Sequence, residues 1–404
     1  MNQKSLNAKY ALVNIGYMLL ASGSVGFAFN YLTEVGFEAG TIGTTMSVMS
    51  LIGVFLGPAA GDLVDRSEKL TQKLFIAGSM VVAAIFGLLL LFVPAGSIVI
   101  LPLVVVAFSC CMVGVPMVNS MAFIYEKAGG VINYGLCRGL GSAAYAVGAN
   151  MVGRLWAILG ARTLPIVIVV GSLFTLCAAL IMPPEPNDEV VDTEAPAEKP
   201  ASISIWQFFG RYSKVVPIIC ALVLLYFCHN VVNTYMGAIL ANIMVGATDA
   251  QVAEVQGNAL FIQAMVELPI MFGFVFIMRK LTINQILVIS AVFYSLKHII
   301  ILLAPSVPMF YAAMVLQMFS YAAIAPAVVY FCNEQVAAED QNKGQAIFLT
   351  SNSVGSLLAS FVGGWLFQLL GVQVGLTIGV GASIVGTVLM VFGCGRLGLA
   401  RKAA

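Results

Sequence analysis

Long apolar runs, cut by short polar breaks, fill the chain from one end to the other. Breaks at charges, glycines and prolines predict twelve membrane-spanning helices. They lie at about 10–32, 42–61, 74–94, 98–123, 136–159, 163–182, 215–244, 252–277, 283–303, 308–332, 345–370 and 373–395, each close to the roughly 20 residues that cross a bilayer. Helices are required because every backbone N–H and C=O in lipid needs a partner within its own segment, and the alternation of a barrel strand does not occur. The run after the polar stretch 1–9 is too long for the apolar core of a signal peptide, so it reads as the first span.

Pro183 to Pro200 breaks the series. Its five prolines and six acids can neither pack nor span, and it divides the spans six and six. The expected domains are a six-helix half at 1–182, a cytoplasmic linker at 183–204 and a second six-helix half at 205–404. The halves share landmarks in order. Tyr134-Gly135, Ser142 and Val152-Gly153 in span five match Lys343-Gly344, Ser351 and Val362-Gly363 in span eleven. The expected fold class is an all-α membrane protein built from two pseudo-symmetric six-helix halves in parallel orientation, with a site between them.

Composition agrees: 60% hydrophobic residues, 9% charged and a mean hydropathy of +0.99 exceed any soluble range. A net charge of +1 without a basic cluster gives no reason to expect nucleic acid. Eight cysteines, mostly inside apolar runs and without metal-ligand spacing, read as small buried hydrophobes. No cofactor, metal site or catalytic residue is expected. An enzyme is not, because no nucleophile–base spacing, zinc motif or phosphate loop is present.

Placing both termini in the cytoplasm puts every Lys and Arg inside except Arg138, Arg154, Arg162 and Lys297, a strong positive-inside bias. The chain then reads as a multi-pass protein of the cell (inner or plasma) membrane. Six charges fall between Asp62 and Lys73, and this knot must sit in water between two spans. Its pattern, Gly61-x-Leu63-x-Asp65-Arg66-x-x-Lys69, resembles the signature loop of the major facilitator superfamily. The resemblance implies the major facilitator fold, alternating access and a gating loop made by Gly61, Asp65, Arg66 and Lys69. Physically, Gly61 permits close helix approach. Asp65 suits the N-terminus of span eleven near Gly344, and Arg66 and Lys69 suit acids such as Asp62, Glu68, Glu334, Glu339 and Asp340.

Ionisable groups inside the membrane are few and are candidates for function. Arg138 lies in Tyr134-Gly-Leu-Cys-Arg-Gly-Leu-Gly-Ser142-Ala-Ala-Tyr145. It either offers a planar fork to hydroxyls or carboxylates or snorkels to the interface, and Tyr145 offers a stacking ring. Glu267, in Ala264-Met-Val-Glu-Leu-Pro-Ile270, is a candidate to exchange a proton or to sit in a structural pair. Lys297 and His298 are adjacent, about 100° apart on a helix, so one can face a cavity and the other a neighbour. His229 and His298 suit proton transfer or a structural hydrogen bond. Asn119, Asn233, Gln317 and Asn352 suit hydroxylated ligands. The stretches around Arg138 and Glu267 resemble the lactose permease-like, oligosaccharide–proton symporter branch. That resemblance implies that Arg138 and Glu267 bind sugar, that Tyr145 stacks on it, that Glu267 takes part in coupling, and that His298 matches a cavity arginine. The chain departs from the branch at Asn233, Gln317, Ser320 and Asn352, where the branch carries its second proton network.

The expected function is proton-coupled uptake of a small hydroxylated solute (sugar, glycoside or nucleoside) by a monomer in the lipid bilayer. Substrate binding is expected at Arg138, Tyr145, Glu267, His298, Asn233, Gln317, Asn119 and Asn352, and proton coupling at Glu267, His229 and His298. The alternatives are transport of an organic anion, through Arg138 and Lys297 with His298, then drug efflux, then a membrane sensor that transports nothing.

Overall fold

The computed structural model describes residues 3–65, 67, 70–127, 129–184 and 204–398. Among them are helices but no strand, and eleven helical segments long and apolar enough to cross a membrane. One segment, Tyr134–Ile181, runs to 48 residues. It contains two helices, Tyr134–Leu159 and Thr163–Ile181, hinged at Gly160–Arg162, so the spans number twelve, as the hydropathy pattern predicts.

The helices are α1 (Gln3–Ser24), α2 (Ala28–Glu34), α3 (Ala39–Asp65), α4 (Gln72–Leu90), α5 (Ile100–Lys127), α6 (Tyr134–Leu159), α7 (Thr163–Ile181) and α8 (Ile205–Arg211). They continue with α9 (Val216–Thr234), α10 (Met236–Ile243), α11 (Asp249–Met278), α12 (Ile283–Leu302), α13 (Val307–Val315), α14 (Tyr321–Gln335), α15 (Gln341–Leu370) and α16 (Val372–Leu397). Polar residues open several of them. Thr71 and Asn133 accept hydrogen bonds from Leu74 N and Leu136 N, and Thr282 with Gln285 forms a capping box, each satisfying amides that the first turn leaves free. Gly371, at φ +82, adopts the left-handed conformation that turns α15 into α16 within one residue.

Three predicted spans are broken. The first divides between α1 and α2 around Gly26, the seventh at Tyr235, and the tenth at a short 3-10 turn, Leu316–Met318. In lipid a freed backbone group needs a substitute partner. At the first break Gln256 supplies it, its side-chain amide donating to Gly26 O at 2.6 Å.

By contacts the chain forms two compact units, residues 1–190 with 234–264, and residues 191–233 with 265–404. In the first, α1 packs on α6 and α7, α4 on α5 and α7, and α3 on α5. Glu34 at the end of α2 accepts from Trp156 Nε1 at 2.7 Å and from Ala161 N at 2.9 Å. In the second, α12 packs on α14 and α16, and α15 on α14 and α16. The third helix of each set of six thus packs on the fourth and the sixth.

Of the signature loop, Gly61 lies in α3 and Asp65 ends that helix. Arg66 and Lys69, and the side chain of Asp65, lie outside the described residues. A Cβ at Gly61 would meet only the Met117 methyl at 3.9 Å, an ordinary contact, so close helix approach is not what this glycine provides here. Glu339 and Asp340, two of the acids suited to Arg66 and Lys69, are engaged by Arg211. All eight cysteines are unpaired; Cys177 and Cys220 are exposed rather than buried.

Close approach occurs instead within the first unit between α6 and the start of α11. A Cβ on Gly153 would lie 2.5 Å from Ala253 O, and one on Gly257 would lie 2.6 Å from Ala149 O. Beside them Asn150 donates to Asn258 Oδ1 at 2.5 Å. Backbone cannot give way as a side chain can, so Gly153→Val is expected to destabilise the protein by about 2 kcal/mol or more. Gly210→Ala, at a position with open space, should leave the melting temperature within about a degree. Thermal unfolding in detergent checks both; equal melting temperatures would contradict the packing.

Candidate functional site

The break in the tenth span positions the centre of the second unit. After α13 the chain tightens into the 3-10 turn Leu316–Met318, and Ser320, at φ −97 and ψ −92, precedes α14. Phe319 N and Ser320 N both donate to Leu316 O, at 3.1 and 3.2 Å, and Ser320 Oγ adds a third bond to the same carbonyl at 3.1 Å. The turn is thus closed by backbone amides, with the serine hydroxyl in support, and Gln317 within it is fully buried.

Gln317 joins two groups that carry full charge when ionised. Lys297 Nζ, from α12, donates to Gln317 Oε1 at 2.6 Å, and Gln317 Nε2 donates to Glu267 Oε1, from α11, at 2.8 Å. Lys297 is fully buried and Glu267 half-buried. The lysine and the carboxylate form no direct salt bridge; one neutral amide separates them and uses both of its ends. Each charge would cost about 2.5–3.5 kcal/mol at the centre of a bilayer, and mutual compensation is the way such groups are tolerated there. Pro269, two residues beyond Glu267 and inside α11, removes an amide N–H from that helix and leaves the carboxyl beside a weakened turn.

Both histidines lie in the same unit, buried, and hydrogen-bond to neutral groups rather than to Glu267. His229 Nε2 is 2.9 Å from Asn233 Nδ2, and its ring stacks on Tyr321 at 5.0 Å between centroids. His298 Nδ1 is 3.0 Å from Ser383 Oγ. Asn230 donates to Asn352 Oδ1 at 3.2 Å. Of the residues singled out in the sequence, the structure therefore brings Glu267 together with Gln317, Asn233 with His229, and Asn352 with Asn230.

Arg138, Tyr145 and Asn119 belong to the first unit. Arg138 is half-buried in α6, within electrostatic reach of Tyr10 and Tyr17 of α1. Its Nη1 is buried without a hydrogen-bond partner among the described residues. Asn119 accepts from Tyr134 Oη at 3.3 Å, and Tyr145 is half-buried. Gly141 brings α6 against Asn14 and Met18 of α1, so this glycine beside Arg138 serves helix packing.

Sequence reasoning placed Lys297 beside the site through its neighbour but missed its link to Glu267. The available signal was simple: one acid, one lysine and one glutamine inside three successive spans of the same half, Glu267 in α11, Lys297 in α12 and Gln317 just after α13.

A family model described as the MFS_1 like family matches residues 17–375. The chain belongs to this family. It is thus a multi-pass membrane transporter of the major facilitator type, and not an enzyme. Solved structures agree at the level of fold. The nucleoside transporter NupG superposes with a TM-score of 0.80 at 14% identity, over 97% of this chain and 99% of that one. The peptide transporter POT, in a mutant form, gives 0.73 at 12%, over 98% and 96%. A bacterial homologue of the human lysosomal transporter Spinster gives 0.72 at 13%, over 97% of each. No curated protein matches the sequence.

A bridged pair has a thermodynamic signature. Lys297→Met leaves Glu267 without its counter-charge and is expected to cost about 3 kcal/mol or more, as when one partner of a buried pair is removed. Glu267→Gln in the same protein should restore at least half of that loss. A double-mutant cycle of unfolding free energies measures the coupling; additive losses would contradict the bridge.

Proposed function

We propose that this member of the MFS_1 like family is a secondary active transporter that takes up an uncharged hydroxylated solute together with protons. The observation that carries the reading is the Lys297–Gln317–Glu267 bridge on a broken helix. Discontinuous helices near the midplane are where transporters place substrate and coupling ions. The bridge is neutral as a whole when both ends are ionised, so it offers an uncharged ligand polar atoms without a net field. Protonating Glu267 removes the negative end and leaves Lys297 unbalanced, a change large enough to bias a two-state equilibrium. Glu267 is the coupling residue in this reading, with His229 and His298 as relays on the same unit. Gln317, Asn233, Asn352 and Asn119 orient hydroxyls.

Within the solute class a nucleoside is favoured. Tyr145 offers a ring for a base or sugar, Arg138 a donor fork, and the fold is similar to that of a protein known as a nucleoside transporter. The reading includes both termini in the cytoplasm, the cell membrane as location, a monomer as working unit, and Gly61, Asp65, Arg66 and Lys69 as a latch in the access cycle. Transport of an organic anion is the second reading, supported by the buried, unpartnered Nη1 of Arg138.

A thermal-shift screen of nucleosides, sugars and small carboxylates distinguishes the two, since ligand at a hundred times its Kd stabilises the folded state by about 2.7 kcal/mol. A nucleoside or sugar that raises the melting temperature of the wild type but not of Arg138→Ala is the expected result. A carboxylate response lost in Lys297→Ala would replace it with the anion reading. No response in any class would contradict both.

A further inference from the structure

The short helix α8 precedes the seventh span and belongs to the second unit. A capping box starts it: Ser204 Oγ accepts from Gln207 N at 3.2 Å, and Ser204 N donates to Gln207 Oε1 at 2.7 Å. Phe208 is fully buried in the core of this unit, with Val215, Phe331 and Val336 among the residues of the same cluster. At its end Arg211 reaches Glu339 at 2.7 Å and Asp340 at 2.9 Å. Tyr212 Oη donates to Asp340 Oδ2 at 2.8 Å and accepts from Ala337 N at 3.2 Å. Burial, then the hydrogen bond to Asp340, push the Tyr212 phenol above its ordinary pKa, so it stays a donor. These contacts fix α8 in rotation as well as position.

Held in that way, α8 turns Trp206 outward at 84% exposure and Ile205 at 50%. A tryptophan with so little cover on a rigid helix has its environment outside the protein. Its height is set by the chain: the seventh span starts at Ser213, and seven residues of helix are about 10 Å long. Trp206 therefore cannot lie more than about 10 Å from where the chain enters the membrane, the depth of the headgroup layer that indole rings favour. Arg211, half-exposed, and Lys214, exposed, follow on the stretch that leads into lipid.

We propose that α8 is an in-plane anchor whose outer face, Trp206 with Ile205, docks into the headgroup boundary of the lipid bilayer. Its inner face clamps the α14–α15 turn through Arg211 and Tyr212. The anchor thereby ties that turn, which leads into α15, to the plane of the membrane. This rests on the membrane-spanning architecture alone and is independent of the solute or the coupling ion.

The test is tryptophan fluorescence in proteoliposomes containing lipid brominated either high or low on the acyl chains. The protein has three tryptophans, so Trp156→Phe with Trp365→Phe isolates Trp206. If loss of the Trp156–Glu34 bond prevents folding of that variant, the difference between wild type and Trp206→Phe reports the same residue. The expected result is at least about twofold quenching by lipid brominated high on the chain, weaker quenching by lipid brominated low, and a blue-shifted emission. Emission of a water-exposed indole, unquenched by either lipid, would overturn the proposal. A blue-shifted emission that neither brominated lipid quenches would also overturn it, by assigning the face to a second copy of the chain.

Discussion

Charge inside lipid is the constraint on which the second unit depends. An ammonium and a carboxylate within one six-helix set are each expensive, and the two histidines of that unit are bonded to neutral groups. A direct salt bridge would satisfy both and would be hard to reopen. The structure inserts Gln317 instead. Because an amide is donor at one end and acceptor at the other, it can face a cation and an anion at once. Either end can then be replaced by a hydroxyl or amide of a ligand at little electrostatic cost.

That arrangement needs a broken helix. A glutamine on a regular tenth span would point wherever the 3.6-residue period put it; here it sits in the 3-10 turn Leu316–Met318, fully buried. The break at Gly26 follows the rule that a discontinuity in lipid persists where a side chain satisfies what it frees. Gln256 does so at Gly26. Such points are also where a membrane helix bends most cheaply, so the elements that hold the site are the ones able to move.

The twelve spans were legible because lipid demands long apolar runs, and charges mark their ends with little ambiguity. The breaks were not: Gly26, Tyr235 and Gln317 interrupt runs that stay apolar on both sides, and a 3-10 turn changes hydrogen bonding without changing hydropathy. Glu267 and Gln317 were identified singly by polarity. Their connection to Lys297 is a tertiary fact, made by three helices, which periodicity along one helix cannot supply. Lys297 and His298, neighbours about 100° apart on α12, bond to Gln317 and to Ser383 respectively, and both are fully buried. The capping box at Ser204 and Gln207 was readable, yet the adjacent proline-rich acidic stretch hid the short helix it starts.

The central claim is that the Lys297–Gln317–Glu267 bridge couples proton movement to an uncharged solute. Its most direct measurement is the current that a neutral, transported solute evokes in proteoliposomes on a solid-supported membrane. One neutral molecule carried with a proton moves net positive charge, so the account predicts a sustained inward current in the wild type. In Glu267→Gln that current should vanish while solute exchange continues. Solute transport without any current in the wild type, or an undiminished current in Glu267→Gln, would contradict it.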